Sequence, residues 1–511
     1  MNKFILGLSA TLLTMSVAQA QEPNPQDISR YTESDMNGTA RFKGMSGAFG
    51  AVGGDLSALK INPAGGAIFN YNQAAFSLSV ANKNNKTNYL NNSESKNYTG
   101  LDLGQLGAIF VFYPDDSSAF MKKFALGLNY ESTKNLHNDY RILGLGQTNS
   151  IGEYFYQVAN RNQVPFQAVS ENSNANQAYI NASNIAGFSG QQTYLAHETF
   201  ILDKGAKDGE YVANFGSNRD TYTQGKYVSS NGYNSKFSGN FSAQLGERLF
   251  VGGNLNLHLY DYTQTSHAVE VNHSPLEKDV VQSISYSNYQ YTYGTGFSFN
   301  LGVIGQITEG LRAGVAYESP TWYNLHDELT QGIETTRFGV NEPSILYPEV
   351  VNIYERYKVS TPSKYTGSLA YVFNERGLIS VDYGIRDYSN SRFRPKNDRT
   401  YQQLNSFYSN EMKVASELRI GGEYRIKQFS IRGGYRFEES PYKNIKYTGD
   451  LNSFSAGIGY EFGNSRLDLS YAYSTRSYKT SLLDLTVNDL YSNATWKMKE
   501  NWFNLSYTIN F

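Results

Sequence analysis

The sequence predicts an all-β chain that closes into a transmembrane barrel of about fourteen antiparallel strands. Three observations carry this. Segments of about ten residues alternate apolar and polar side chains, the mark of a strand with one greasy and one wet face. The connections between them alternate long and short. Mean hydropathy is −0.50, and after the first 20 residues no apolar run approaches the ~20 that a spanning helix needs. A crossing made without helices must be a closed sheet, because only that satisfies every backbone group in lipid.

The strand candidates are 74–81, 107–113, 124–130, 235–245, 248–260, 291–305, 311–318, 364–373, 378–385, 416–425, 429–436, 453–462, 466–475 and 502–511. Between them, 82–106, 131–234, 261–290, 319–363, 386–415, 437–452 and 476–501 are long, and the intervening connections are short. An even-stranded outer-membrane barrel has short periplasmic turns and longer outer loops, with both termini in the periplasm. The longest gap, 131–234, exceeds a plain loop and is expected to fold over the mouth with strand extensions or short helices of its own.

The faces can be read separately. Leu418, Ile420, Gly422 and Tyr424 oppose Glu417, Arg419, Glu423 and Arg425. Ile431, Gly433 and Tyr435 oppose Arg432, Gly434 and Arg436. Leu467, Leu469, Tyr471 and Tyr473 oppose Arg466, Asp468, Ser470 and Ser474. A charge facing lipid costs about 2–4 kcal/mol at the midplane, so the charged faces point inward, where mixed signs imply ion pairs across the wall or to a plug. The 42 Tyr and 29 Phe suit aromatic girdles at the two membrane interfaces, and the scarcity of Pro, 12 in 511 residues, suits ladders that need N–H donors. Lys and Arg (44) nearly balance Asp and Glu (46), which gives nucleic acid no basic surface to bind.

Both ends agree with an envelope location. Lys3, an apolar run from Phe4 to Met15 and the small-x-small site Ala18-Gln19-Ala20 form a secretory signal peptide over 1–20, so that the mature chain starts at Gln21. The chain has no Cys, hence neither a lipid-modified N-terminal Cys nor a disulfide. At the other end Phe503, Leu505, Tyr507, Ile509 and Phe511 alternate with Asn504, Ser506, Thr508 and Asn510. This strand resembles the C-terminal signal of outer-membrane barrels, which the barrel-assembly machinery reads. The location implied is a Gram-negative outer membrane, with its lipid as surroundings.

Residues 21–70 lack strand alternation and are rich in small residues, as an internal plug would be, ahead of a barrel over 71–511. Gly38-Thr-Ala-Arg-Phe-Lys-Gly44-Met-Ser-Gly47-Ala-Phe is followed by Asp55-Leu-Ser57-Ala and Asn62-Pro63-Ala64-Gly65. This run over 38–65 resembles the N-terminal hatch of the long-chain fatty-acid outer-membrane transporter family, which also includes channels for aromatic hydrocarbons. The resemblance implies a fourteen-stranded barrel stopped by a hatch. Long-chain fatty acids or other apolar small molecules would be captured by outer loops, held in an inner pocket and released sideways through the wall. It makes Gly44, Gly47, Asp55, Ser57, Asn62, Pro63, Ala64 and Gly65 hatch or gating residues; the plainer alternative is that Asn62-Pro63 only turns the chain into the first strand. One departure is that 131–234 is polar, with Val164, Phe166, Val169, Ile180, Ile185, Phe188, Leu195, Phe200, Ile201 and Leu202 scattered through it where the family has an apolar groove.

Little else suggests chemistry. No nucleophile elbow, zinc-protease or phosphate-loop motif occurs, so no enzyme and no cofactor are expected. His258 lies in phase with inward Asn254, Asn256 and Tyr260, as a wall residue would. His267 and His273 flank a long loop without a metal-ligand spacing. A haemin receptor, an adhesive barrel and a general diffusion porin stay open as alternatives; a TonB-dependent receptor needs a larger plug and barrel than this chain holds.

Overall fold

The computed structural model describes residues 27–90, 92–116, 119–170, 174–216, 220–274, 277–373, 376–444, 447–480, 482–483 and 494–511. The signal peptide read over 1–20 and the start at Gln21 lie outside these residues.

Fourteen staves form one antiparallel barrel. They are β1 (Gln73–Tyr89), β2 (Asn92–Phe112), β3 (Met121–Asn135), β4 (Tyr222–Leu245), β5 (Leu249–Asn272), β6 (Val281–Gln306) and β7 (Leu311–Glu318). They continue as β8 (Lys364–Phe373), β9 (Gly377–Asp387), β10 (Val414–Ile426), β11 (Phe429–Glu438), β12 (Leu451–Glu461), β13 (Ser465–Thr480) and β14 (Ala494–Asn510). Each pairs with its neighbour, and β14 pairs with β1 from Gln73↔Asn510 to Asn88↔Thr495, which closes the sheet. The Phe511 amide then donates to the Asn72 carbonyl at 3.0 Å, so the chain end is tied into the closure.

Every expected segment falls on one stave, and β7 and β8 have the expected bounds. Two of the long gaps are mostly strand. β1 and β2 stay paired up to Tyr89↔Asn92, and β5 and β6 stay paired up to Val271↔Ser283. Their upper halves rise clear of the apolar zone. There both faces are polar, as in Asn82-Lys-Asn-Asn-Lys-Thr-Asn88, and the greasy alternation that marks a strand inside lipid is lost.

The faces point as expected. Ile420, Tyr424, Ile431, Leu467 and Leu469 are exposed on the outer wall, whereas Glu417, Arg419, Glu423, Arg432, Arg436 and Asp468 are buried in the lumen. On β14, Phe503, Leu505, Tyr507, Ile509 and Phe511 all face outward, and Asn504, Ser506 and Thr508 are buried inside.

The region 131–234 caps the mouth. It carries a strand, Asn138–Gln147, that pairs with β4, then helices α3 (Gly152–Arg161) and α4 (Ala175–Glu198) and a small hairpin. α4 is kinked at Ala186 and Gly187. Val164, Val169, Leu195, Ile201 and Leu202 are buried in the cap's own core with Phe155, Tyr154 and Tyr286, so they make a lid and not an apolar groove. Tyr is spent here as well as on girdles: Tyr31, Tyr260, Tyr323, Tyr357, Tyr401 and Tyr408 form a second core, against the loop helix Arg399–Glu411.

Candidate functional site

The lumen is stopped by residues 27–72, which hold two short helices, α1 (Asp27–Thr32) and α2 (Ala40–Gly44), and two 3-10 turns, Leu56–Lys60 and Pro63–Ile68. Local capping explains the fold of this hatch. The Thr39 hydroxyl accepts from the Phe42 amide at 3.1 Å and donates to the Asp55 carboxylate at 2.8 Å. Asp55 in turn accepts from the Ser57 amide at 2.9 Å, and the Ser57 hydroxyl accepts from the Thr39 amide at 2.7 Å. Each cap satisfies N–H groups that a helix start leaves orphaned. Gly53 (φ 62°) crosses Gly65 so closely that a Cβ on Gly53 would stand 2.9 Å from the Gly65 Cα; this holds the two halves of the hatch together. Gly47 sits at the edge of the Phe42 ring, at the bend after α2.

The Asn62-Pro63-Ala64 turn reaches the wall. Asn62 Oδ1 accepts from the Ala64 amide at 3.1 Å, and Asn62 Nδ2 donates to the Gly50 carbonyl at 2.8 Å and to the Val303 carbonyl of β6 at 3.1 Å. The Pro63 carbonyl accepts from Asn240 of β4 at 3.1 Å, and Ala64 is buried against Phe250 and Ile304. Asn62 is thus both a cap and a wall anchor, which is more than turning the chain into β1.

On the opposite side the hatch is held by charge. Arg41 donates to Glu423 at 2.8 and 3.0 Å; Glu423 also accepts from Arg432 at 2.6 Å, and Arg432 donates to Asp468 at 2.7 Å. All four are buried. Gly44 lies over Gly457 of β12, where an added Cβ would be 3.2 Å from the Gly457 Cα. Inward charges on β10, β11 and β13 were legible in the sequence; their hatch partner, Arg41, was not singled out, although it lies inside the recognised run. Against β14 and β1, the Ala40 amide donates to Ser506 and Asn504 donates to the Gly38 carbonyl, both at 2.9 Å. Among the described residues the Lys43 ammonium meets only the Ser79 hydroxyl at 3.2 Å and the Trp502 ring at 4.5 Å, and burial pulls it down to about 7 against the attraction of Asp35.

The wall changes character at β2 and β3. Their backbone ladder runs only from Phe112↔Phe124 to Gln105↔Glu131. β2 bulges here: its register with β1 shifts between Ser77 and Leu78, which skips Gly104. Above Glu131, β3 stays paired with β4, but on the side of β2 its partners come from the hatch. The Asp35 amide donates to the Thr133 carbonyl, Asn37 Nδ2 donates to the Ser132 carbonyl, and Asp35 Oδ2 accepts from the Asn135 amide, each at 2.9 Å. The two strands are then linked by a side chain, Ser132 Oγ donating to Asp102 at 2.9 Å. Leu101, Leu106 and Leu128 beside this seam are exposed to the outer wall.

Between hatch and cap lies a cavity of about 310 Å³. Its floor carries Glu33, Asp35, Lys134 and Arg476, its roof Phe188 and Tyr154, and its walls amides, hydroxyls and the rings of Tyr140, Tyr478 and Trp496. Phe188 therefore faces the lumen, whereas Ile185 and Phe200 are partly exposed on the cap. The histidines behave as wall residues: His258 shares a hydrogen bond with Ser298 (2.9 Å), His267 with Ser287 (2.8 Å) and His273 with Thr223 (2.9 Å).

A fourteen-stranded barrel filled by an N-terminal hatch, with a cavity above it, is the architecture of an outer-membrane channel. The sequence profile described as "Outer membrane protein transport protein (OMPP1/FadL/TodX)" matches residues 212–511, and the chain belongs to this family. The hatch run over 38–65 lies outside that match. A FadL homologue of Pseudomonas aeruginosa has the same fold, with a TM-score of 0.52 at 13% identity over 94% of this chain and 99% of that one. The toluene transporter TodX of Pseudomonas putida aligns with a TM-score of 0.48 at 14% identity over 94% and 99%. The toluene transporter TbuX of Ralstonia pickettii aligns at 0.46 and 13% over 93% and 99%. No curated protein matches the sequence. The family is one of outer-membrane transport channels, and the chain is a multi-pass outer-membrane barrel.

Proposed function

We propose that this protein takes up hydrophobic small molecules across the outer membrane and releases them sideways into the bilayer between β2 and β3. The observation that carries this is the shortened ladder at that seam, with hatch residues Asp35 and Asn37 occupying the inner edge of β3 where β2 has left it. An unpaired strand edge in lipid is costly, so an edge covered by a segment that can withdraw is a gate. A ligand passing from cavity to seam to membrane never crosses a water-filled pore, and its apolar surface stays out of water. In this reading Gly44, Gly47, Gly53 and Gly65 keep the hatch close to the wall and to itself, Asp55 and Ser57 hold its shape, and Asn62, Pro63 and Ala64 anchor it. Phe503, Leu505, Tyr507, Ile509 and Phe511 are the signal for the barrel-assembly machinery.

The family resemblance supports long-chain fatty acids as one ligand class, and the toluene transporters among the aligned structures make aromatic hydrocarbons a second class to test. An open diffusion porin has no use for a hatch fastened by buried ion pairs, and the structure therefore favours gated passage. The test is uptake of labelled oleate and labelled toluene by a Gram-negative host lacking its own channels of this kind, with and without the protein. Uptake of either that depends on residues 27–72 supports the reading. A folded barrel at the cell surface that raises uptake of neither removes it.

A further inference from the structure

The two sides of the cavity differ in chemistry. On β13, β14 and the strand Asn138–Gln147, three rings stack: Trp496 lies between Tyr140 (centroids 4.6 Å, 19°) and Tyr478 (4.6 Å, 28°). The indole is fixed by its own N–H, which donates to Asn85 Oδ1 at 2.7 Å. On β4, β5 and β6 the inward residues form rows of hydrogen-bonding groups. Gln264 pairs across to Ser230 on one side and Gln290 on the other, and Ser266 pairs to Val228 and Asn288.

Two of these groups, Gln264 and Ser266, are uncommitted, whereas Ser230 donates to the Leu136 and Asn138 carbonyls and Gln290 to Thr292. Among the described residues, the side chains of Gln264 and Ser266 make no hydrogen bond, although both line the cavity. Asn288, by contrast, is engaged: its Oδ1 accepts from Gln331 at 2.6 Å and its amide bonds the Tyr286 hydroxyl. The cations around the cavity are likewise occupied. Lys83 donates to the Asn135 and His137 carbonyls at 2.9 Å, Lys134 pairs with Glu33 at 2.7 Å, and Arg476 pairs with Glu33 at 3.0 Å and Glu438 at 2.7 Å. Arg30 and Lys226 have partners as well.

Paired cations leave no site that calls for an acidic head group. Stacked rings offer a flat surface, whose attraction is strongest for another ring, offset or edge-on. Unspent amides and hydroxyls are the few placed polar groups by which a pocket orients its ligand. The volume, about 310 Å³, is about twice the ~150 Å³ cavity that holds one benzene. We propose that this cavity selects a neutral, planar compound of about two fused rings bearing hydroxyl or amide groups, in preference to an acyl chain or a bare hydrocarbon. This rests on the reading above that the cavity holds the transported ligand.

The test compares 2,7-dihydroxynaphthalene with naphthalene, which share a shape and differ in two hydroxyls. Each is titrated calorimetrically at pH 7 into the purified full-length barrel, with empty detergent micelles as the blank. The diol is expected to bind about tenfold or more tightly, the factor appropriate to two net hydrogen bonds. The double variant Q264L/S266A should bring the two affinities together with little change for naphthalene, and W496L should weaken both. Heat-modifiable migration on a gel verifies that each variant folds, and Q264L alone, a change on a cavity-facing residue, provides a milder version. Naphthalene binding as tightly as the diol, or a preference that survives Q264L/S266A, overturns the inference and leaves uptake standing. Binding of neither compound by the folded barrel overturns the inference alone, since the uptake of oleate and toluene decides the reading on which it rests.

Discussion

The hatch meets the barrel differently on its two sides. Towards β10–β13 it is locked by Arg41, Glu423, Arg432 and Asp468, buried together, and by the backbone approach of Gly44 to Gly457. Towards β2–β3, at the seam itself, it contributes single hydrogen bonds from Asp35 and Asn37 to a strand edge, beside two separate ion pairs to β3, Lys60 with Glu131 and Glu33 with Lys134. The wall differs in parallel: the ladders of β10–β11 and β14–β1 run the length of their strands, whereas that of β2–β3 stops at Gln105↔Glu131. A plug fastened equally all round would have to leave as a whole. One held on one side by a four-membered buried ion network and close backbone packing, and on the other by single lysine–carboxylate pairs and hydrogen bonds to an edge without a neighbouring ladder, can open at that edge while the rest stays docked.

Three substitutions separate the two sides, in order of expected effect. Glu423→Ala removes the carboxylate shared by Arg41 and Arg432 and leaves a buried guanidinium unpaired, a change that typically costs about 3–5 kcal/mol. Its expected outcome is loss of hatch docking, read as a large rise in single-channel conductance in a planar bilayer; conductance like the parent's would mean that the ion pairs do not hold the hatch. Asn62→Ala removes a cap and two carbonyl contacts, for a cost of about 1–2 kcal/mol. It should give brief, intermittent openings, and protease cutting within 27–72 should become faster. Asn37→Ala removes one bond to the β3 edge, at about 1 kcal/mol. It should speed uptake of a hydrophobic tracer a few-fold without raising conductance; a conductance rise equal to that of Glu423→Ala would erase the distinction between anchor and gate.

The sequence made the barrel legible and the path through it only partly so. Inside lipid, physics imposes alternation, and each stave could be found by it; the inward Glu417, Glu423, Arg432 and Asp468 followed from the cost of charge in hydrocarbon. Above the lipid that constraint lapses. The polar halves of β1, β2, β5 and β6 therefore read as loops, and α4, built largely from Ala, Asn, Gln, Gly and Ser, shows no apolar stripe. The Asn62 turn announced itself through Asn-Pro, but its bond to Val303 depends on tertiary packing. The seam at β2–β3 turns on where a ladder stops, and no residue type marks that; Gly104 is the one local sign of the bulge. The cavity was invisible for a similar reason. Gln264, Ser266 and Asn288 occur in a stretch without hydrophobic contrast, and which of their neighbours would use up their hydrogen bonds is decided by the fold.

Release at the seam can be blocked by a reversible staple. The chain has no Cys, so a pair introduced at Asp102 and Ser132, whose side chains already touch at 2.9 Å, is the only disulfide that can form. A control pair, Val80→Cys with Phe503→Cys, spans the continuous β1–β14 ladder. Uptake of a labelled hydrophobic tracer is measured on oxidised cells and again after reduction. At least tenfold less uptake is expected through the oxidised D102C/S132C barrel, with recovery on reduction and no change for the control. Undiminished uptake through a fully oxidised D102C/S132C barrel would contradict release between β2 and β3.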